Sequence, residues 1–286
     1  MLPPVDVWLE ALRLAGATCL LTAFLLELRA PRHSRLGPGL VGLLMLLAGG
    51  FGVLLATVAP LAARTEQPLL PLAFDYLEQS QHGPTLLLPV VPAVYGLMLW
   101  YGARSAASPG IQRTLYVLTA LALLATAGLF AYGGHGSDDD RLAQLGMLFM
   151  VIHVAAGITW AALVLSLLPR LPLADALELH RRLARFGNHA LLLVVLLVPS
   201  GLAAAWLHGT PVPWPLDDPY GVLLTVKLLL LNGALAAAGW NRWVELPRSA
   251  ADPTRLRRVL AIEAGLLTLL LFAAAWLART LPLTSN

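Results

Sequence analysis

Eight predominantly apolar stretches, at residues 5–28, 37–63, 83–103, 111–134, 142–168, 187–207, 221–243 and 256–279, constrain this chain more than any other feature. Each reaches the ~20 residues that a helix needs to cross ~30 Å of hydrocarbon. In lipid, a helix satisfies its own backbone hydrogen bonds without help from water. Composition agrees: 58% of the 286 residues are apolar and 12% charged, an apolar excess that a water-soluble core does not absorb. The expected fold class is an all-α integral membrane protein of eight transmembrane helices, with the lipid bilayer as its solvent. The opening MLPPVDVWLEALRL lacks a basic segment and leads directly into a full-length apolar span, which predicts a retained helix rather than a cleaved signal.

Charge is sorted by side. Links one, three, five and seven, with their flanking turns, hold Arg29, Arg32, Arg35, Arg104, Arg113, Arg170, Arg181, Arg182, Arg185, Arg242, Arg248, Arg255, Arg257 and Arg258, which is 14 of the 19 basic residues. The other links and the termini hold Arg64, Arg141 and Arg279, together with acids such as Asp75, Glu78, Asp138, Asp139, Asp140, Asp217 and Asp218. The positive-inside rule then places the Arg-rich links in the cytoplasm and both termini on the periplasmic side of a bacterial inner membrane. A net charge of +3 spread over short links is topology, not a nucleic-acid patch. Cys19 is the single cysteine, so neither an internal disulfide nor a CxxC motif is available.

The halves echo each other. Residues 15–19 read AGATC and residues 156–160 read AGITW, an offset of 141; residues 83–87, GPTLL, loosely echo residues 221–225, GVLLT, at an offset of 138. A four-plus-four duplication with parallel halves, 1–134 and 135–286, would produce such echoes, and transporters are often built from repeats. Gly, Ala, Leu and Thr also recur by chance in membrane helices, so both origins stay open.

Ionisable groups are costly in hydrocarbon and each one requires a reason. His153 lies 11 residues into the fifth stretch, about 16 Å deep and near the midplane at ~1.5 Å per residue. Met150 and Met147 lie outward from it at spacings of three, and His135 stands at the outer mouth before Asp138, Asp139 and Asp140. Imidazole and thioether together suit copper, as Cu+ or Cu2+, whereas magnesium or calcium would want oxygen. Cys19 and Met98, at similar depth on other helices, are further candidate ligands, as are His82, His189 and His208 near the ends of spans. The bland readings stand beside these: methionine in a membrane helix is more often packing than ligand, Cys19 suits a small filler, and loop histidines are usually inert. Lys227 and Glu263, inside the seventh and eighth stretches, read as structural or gating groups, with Glu263 expected to pair with Arg242 or hydrogen-bond Asn241. No catalytic residue is expected.

Gly134-His135, the run from His153 to Trp160, Arg185-Phe186, Ser200-Gly201, Tyr220-Gly221 with Lys227, Asn241-Arg242, and Arg257-Arg258 with Glu263 follow one another in an order that resembles the copper resistance protein D family over about residues 130–280. The resemblance implies an inner-membrane protein that moves copper, often beside a periplasmic copper-binding partner of the copper resistance C type. It also implies that His135 and His153 are recurrent histidines of the outer half, and that Trp160, Lys227, Asn241 and Glu263 are recurrent positions. Three departures are plain. Gly187-Asn188-His189 follows Arg185-Phe186 where such proteins often carry Ser-Arg. Arg13 stands near Gly16 where a histidine is expected, and His82 occupies a position usually aromatic.

Copper transport from the periplasm is thus the leading expectation. No Gly-rich phosphate loop is present, so a gradient or downhill flow would supply the energy. A haem-binding oxidoreductase or electron carrier is the alternative, although His153 has no histidine partner at its depth and a haem would need His/Met ligation. A scaffold whose polar groups only join helices is a third reading.

Overall fold

The computed structural model describes residues 3–29, 37–80, 82–133, 141–168, 176–207, 216, 218–248 and 253–280. Among them there are helices and no strands, and eight helical segments are long and apolar enough to cross a membrane. The chain is an all-α polytopic membrane protein.

The first two spans, α1 (Val5–Arg29) and α2 (Gly37–Thr65), form a hairpin. Glycines let the backbones touch: a Cβ on Gly16 would stand 2.7 Å from the Gly42 carbonyl oxygen, and one on Gly42 would stand 2.8 Å from that of Gly16. Small residues are the usual device for close helix approach in lipid, where apolar burial offers little drive. Between α2 and the third span lies an element that the apolar stretches do not show, α3 (Leu69–Gln79). Its Ala73, Leu72, Tyr76 and Leu77 pack on Val53, Leu54, Val58 and Leu86, while Leu70 and Phe74 face outward.

The third span is broken into α4 (Gly83–Leu87) and α5 (Val90–Ser105). Pro89 sits at the break, lacking the N–H that a continuous helix would use. The fourth span, α6 (Pro109–Leu129), tightens into a 3-10 turn at Phe130–Gly133. The fifth is α7 (Arg141–Leu165), and the sixth is α8 (Ala176–Leu207), which carries Arg181, Arg182 and Arg185 on the same helix as the apolar stretch. The seventh, α9 (Pro219–Trp240), passes into a π segment at Asn241–Glu245 and a last turn, α10 (Leu246–Arg248), before α11 (Pro253–Arg279).

The neighbours pair as α1 with α2, α5 with α6, α7 with α8 and α9 with α11. Helix α1 also packs on α6, α7 and α11, and α7 also packs on α6 and α11, so these four helices form the centre. Besides the cluster under α3, two larger apolar cores result. One gathers Phe24, Leu46, Trp100 and Leu123 around α1, and the other gathers Trp160, Leu197, Leu260 and Leu267 between α7, α8 and α11.

Candidate functional site

His153 projects from α7 toward α8. Its Nδ1 lies 2.9 Å from the Leu197 carbonyl oxygen. A carbonyl only accepts, so Nδ1 is the ring nitrogen that carries the hydrogen, and the lone pair is left on Nε2. The ring lies over Gly201, where a Cβ would come 2.6 Å from Nδ1. That glycine is therefore part of the site, since any side chain there would displace the imidazole. Lys227 of α9 lies within electrostatic reach of the ring.

Seven residues further along α7 comes Trp160, almost on the same helix face and about 10 Å further along the axis. It is completely buried, and its Nε1 donates to Glu263 Oε1 at 3.2 Å. Asn241 Nδ2 donates to the other carboxylate oxygen, Oε2, at 2.8 Å, which is the hydrogen bond expected from the sequence. The alternative partner, Arg242, turns instead to Asn188 Oδ1 at 3.1 Å. Asn241 begins the π segment, a widened turn that often marks functional sites in membrane and soluble helices alike. The carboxylate, carboxamide and indole join α7, the π segment and α11 at a single point.

The other named positions are dispersed. Met147 and Met150 are both half-buried on α7. Met98 of α5 is 64% exposed on the outside of the bundle, turned from the interior. The Cys19 thiol donates to the Pro38 carbonyl oxygen at 3.4 Å, so it faces the start of α2. His82 and His189 are exposed. His135 and His208 lie outside the described residues. Among the described residues, no three His, Cys, Asp or Glu side chains gather as a metal-holding group.

A second buried charge cluster occupies the first half. Arg13, 2% exposed, donates through Nη1 to Glu10 Oε2 at 2.7 Å and through Nη2 to the Leu86 carbonyl at 2.9 Å, with its guanidinium 5.0 Å above the Phe130 ring. Its stem packs against Gly49, where a Cβ would meet Cγ at 2.6 Å. Nearer the Arg-rich end, the buried Glu27 accepts from the Tyr116 hydroxyl at 3.3 Å and pairs with Arg104 at 3.6 Å. At the opposite end Arg279 reaches Asp6 at 2.9 Å. Glu10, Arg13 and Glu27 are ionisable residues inside the first apolar stretch, so the rule that singled out His153 also marks them; the loop-based charge count passes over them.

Residues 180–277 match the family model Copper resistance protein D. The matched segment runs from α8 to α11 and contains Gly201, Lys227, Asn241, Arg242 and Glu263. It starts later than the resemblance read from the motifs, so His153 and Trp160 lie before it, on the helix that its residues grip. No curated protein and no solved structure matches the chain.

Proposed function

We propose that this protein handles copper in the bacterial inner membrane, moving the ion inward from the periplasm, with His153 as the ligand within the membrane. One observation carries the reading. The Nδ1–H of His153 is taken up by a backbone carbonyl, and this is how proteins fix an imidazole with its Nε2 lone pair turned toward a metal. The match of residues 180–277 to a copper resistance family supplies the ion.

His135 receives copper at the outer mouth, and Met147 and Met150 pass it to His153. Relative to a mouth near residue 142 the steps fall at about 8, 12 and 16 Å. Thioethers bind cuprous ion without holding it hard, and conduction requires sites that release as well as bind. Lys227 contributes to release, because its charge opposes that of a bound cation. Trp160, held by Glu263 and Asn241, closes the way below His153 as a gating group. A copper resistance C type protein would deliver the ion outside. The protein acts as a transporter, not an enzyme.

The two halves, 1–134 and 135–286, arise by duplication in this reading. Exchanging α1 with α7 and α6 with α11 turns the contacts of the central helices into one another, which supports it.

The test is copper content and absorption spectrum of purified protein, with copper-dependent growth measured alongside. His153→Ala should lose bound copper and the copper phenotype while keeping its helical circular dichroism. Met147→Leu combined with Met150→Leu should slow uptake more than it weakens binding. Normal copper binding and movement by the His153→Ala protein would place the intramembrane site elsewhere, and a Soret band would turn the reading to haem.

A further inference from the structure

On the Arg-rich side of the bundle, a pocket of about 260 Å³ opens between α8, α9, the π segment and α11. Its volume is at the low end for a ligand site, which suits part of a molecule better than a whole one. Val194, Leu235, Leu256 and Leu260 make its wall apolar. Asn241, Arg242 and Glu263 supply the polar groups.

Those polar groups are unbalanced in a specific way. Asn241 is 8% exposed, and its buried Oδ1 has no hydrogen-bond partner. Glu263, 1% exposed, receives one donor on each oxygen, and each oxygen can take another. The base of the pocket is therefore rich in acceptors and wants N–H or O–H donors, and leaving a buried acceptor unmade is costly. Arg242 commits Nη2 to Asn188 Oδ1 and retains further donors. The site thus asks for several donors at its base, an anion toward Arg242 and an apolar chain along its wall.

We propose that this pocket holds a primary-amine phospholipid, such as phosphatidylethanolamine. Its ammonium, with three donors and no acceptor, meets Asn241 Oδ1 and the Glu263 carboxylate. Its phosphate meets the Arg242 guanidinium, a charge-assisted pairing suited to a forked donor. The upper part of one acyl chain follows Val194, Leu235, Leu256 and Leu260, and the rest leaves into the bilayer. Trp240 and Trp243, 53% and 73% exposed, flank the pocket on α9 and the π segment as aromatic anchors of the interfacial kind. No copper ligand takes part in it, so the lipid readout is independent of copper binding, although Asn241 and Glu263 also hold the proposed gate at Trp160.

The deciding comparison is between phosphatidylethanolamine and phosphatidylcholine, whose quaternary ammonium has no N–H to donate. Protein reconstituted in vesicles containing equal amounts of these two lipids and of phosphatidylglycerol, then released in mild detergent, is weighed intact by native mass spectrometry. Wild type should retain one phosphatidylethanolamine over phosphatidylcholine by about fivefold, the scale of one net hydrogen bond. Stepwise N-methylation of the lipid should erode that preference. Asn241→Leu and Arg242→Gln should remove it, and Val194→Phe, which fills the apolar wall but spares the polar groups, should lower retention of any lipid. Equal retention of both lipids by wild type overturns the proposal, as does a preference for phosphatidylglycerol or a preference that survives in both polar variants. Should those variants not fold, the wild-type methylation series decides alone.

Discussion

A metal-binding imidazole depends on which of its nitrogens is engaged, and at His153 the Leu197 carbonyl engages Nδ1. In the proposed mechanism Lys227 sets how firmly a cation stays, since a charged ammonium within electrostatic reach raises the free energy of any bound positive charge. Lys227→Met should therefore tighten copper binding, on the order of tenfold for a charge about 10 Å from the ion at an effective dielectric of ~20, and slow copper release. Isothermal titration of the purified variant reads the first and stopped-flow metal release the second; unchanged affinity would remove Lys227 from the proposed mechanism. His153 stands out in the sequence because a histidine deep in an apolar stretch has few ordinary explanations. Its neighbour Lys227 is equally visible as a residue, yet nothing in the spacing of α7 and α9 brings the two together. Arg13 shows the reverse failure. It is as conspicuous as His153, but its expected place belonged to a histidine, and a guanidinium with no lone pair cannot serve as a ligand. What holds it is local, the Glu10 carboxylate one turn away, and remote, the Leu86 carbonyl at the broken third span.

Helix pairs decide where these groups point, and the hairpin of α7 and α8 shows how finely. Gly157 and Gly201 both lie in it, yet a Cβ on Gly157 would meet only Leu197 Cδ1 at 3.5 Å, whereas one on Gly201 would meet the His153 ring at 2.6 Å. Gly157→Ala should accordingly be silent. Gly201→Ala should push the imidazole off the Leu197 carbonyl at an overpacking cost of ~1–3 kcal/mol and lose copper as His153→Ala does, with the histidine still present. Metal analysis of the two variants side by side distinguishes a positioned ligand from a histidine that merely lies in the membrane. Retention of full copper by Gly201→Ala would mean that this geometry is not required. At this scale the sequence was readable in length and blind to interruptions. All eight spans follow from runs of apolar residues, because backbone satisfaction in lipid leaves no other spanning form for them. Helix α3 escapes that reading, since it has 11 residues and buries one stripe against α2 instead of crossing. Pro89 explains the break in the third span once seen, but Pro60 and Pro199 sit inside unbroken helices, so proline alone does not announce a break. The π segment at Asn241–Glu245 has no comparable mark in its residues NRWVE.

Over the whole molecule, sidedness rests on charges in the links, and the folded chain adds charge pairs at both ends. Arg279 and Asp6 join the last helix to the first at the end where both termini lie, while Glu27 and Arg104 join α1 to α5 at the other. Arg279 is one of the three basic residues outside the Arg-rich links and spans, and its pairing with Asp6 ties it to the first helix. The positive-inside rule counts Lys and Arg rather than net charge, so these pairs leave the asymmetry with the Arg-rich links. Four spans per half return the chain to its starting side, so a duplication by this route gives parallel halves and places α1 and α7, with Arg13 and His153, in the same direction through the membrane. The mouth by which copper would reach His153 is then on the side of both termini. Reporter fusions after Arg35, Arg113 and Arg255 should all report the cytoplasm, and one after Thr65 should report the periplasm. A periplasmic signal from any two of the first three would invert the protein: copper would meet Trp160 and the Glu263 carboxylate before His153, and the direction of the proposed path would reverse with it.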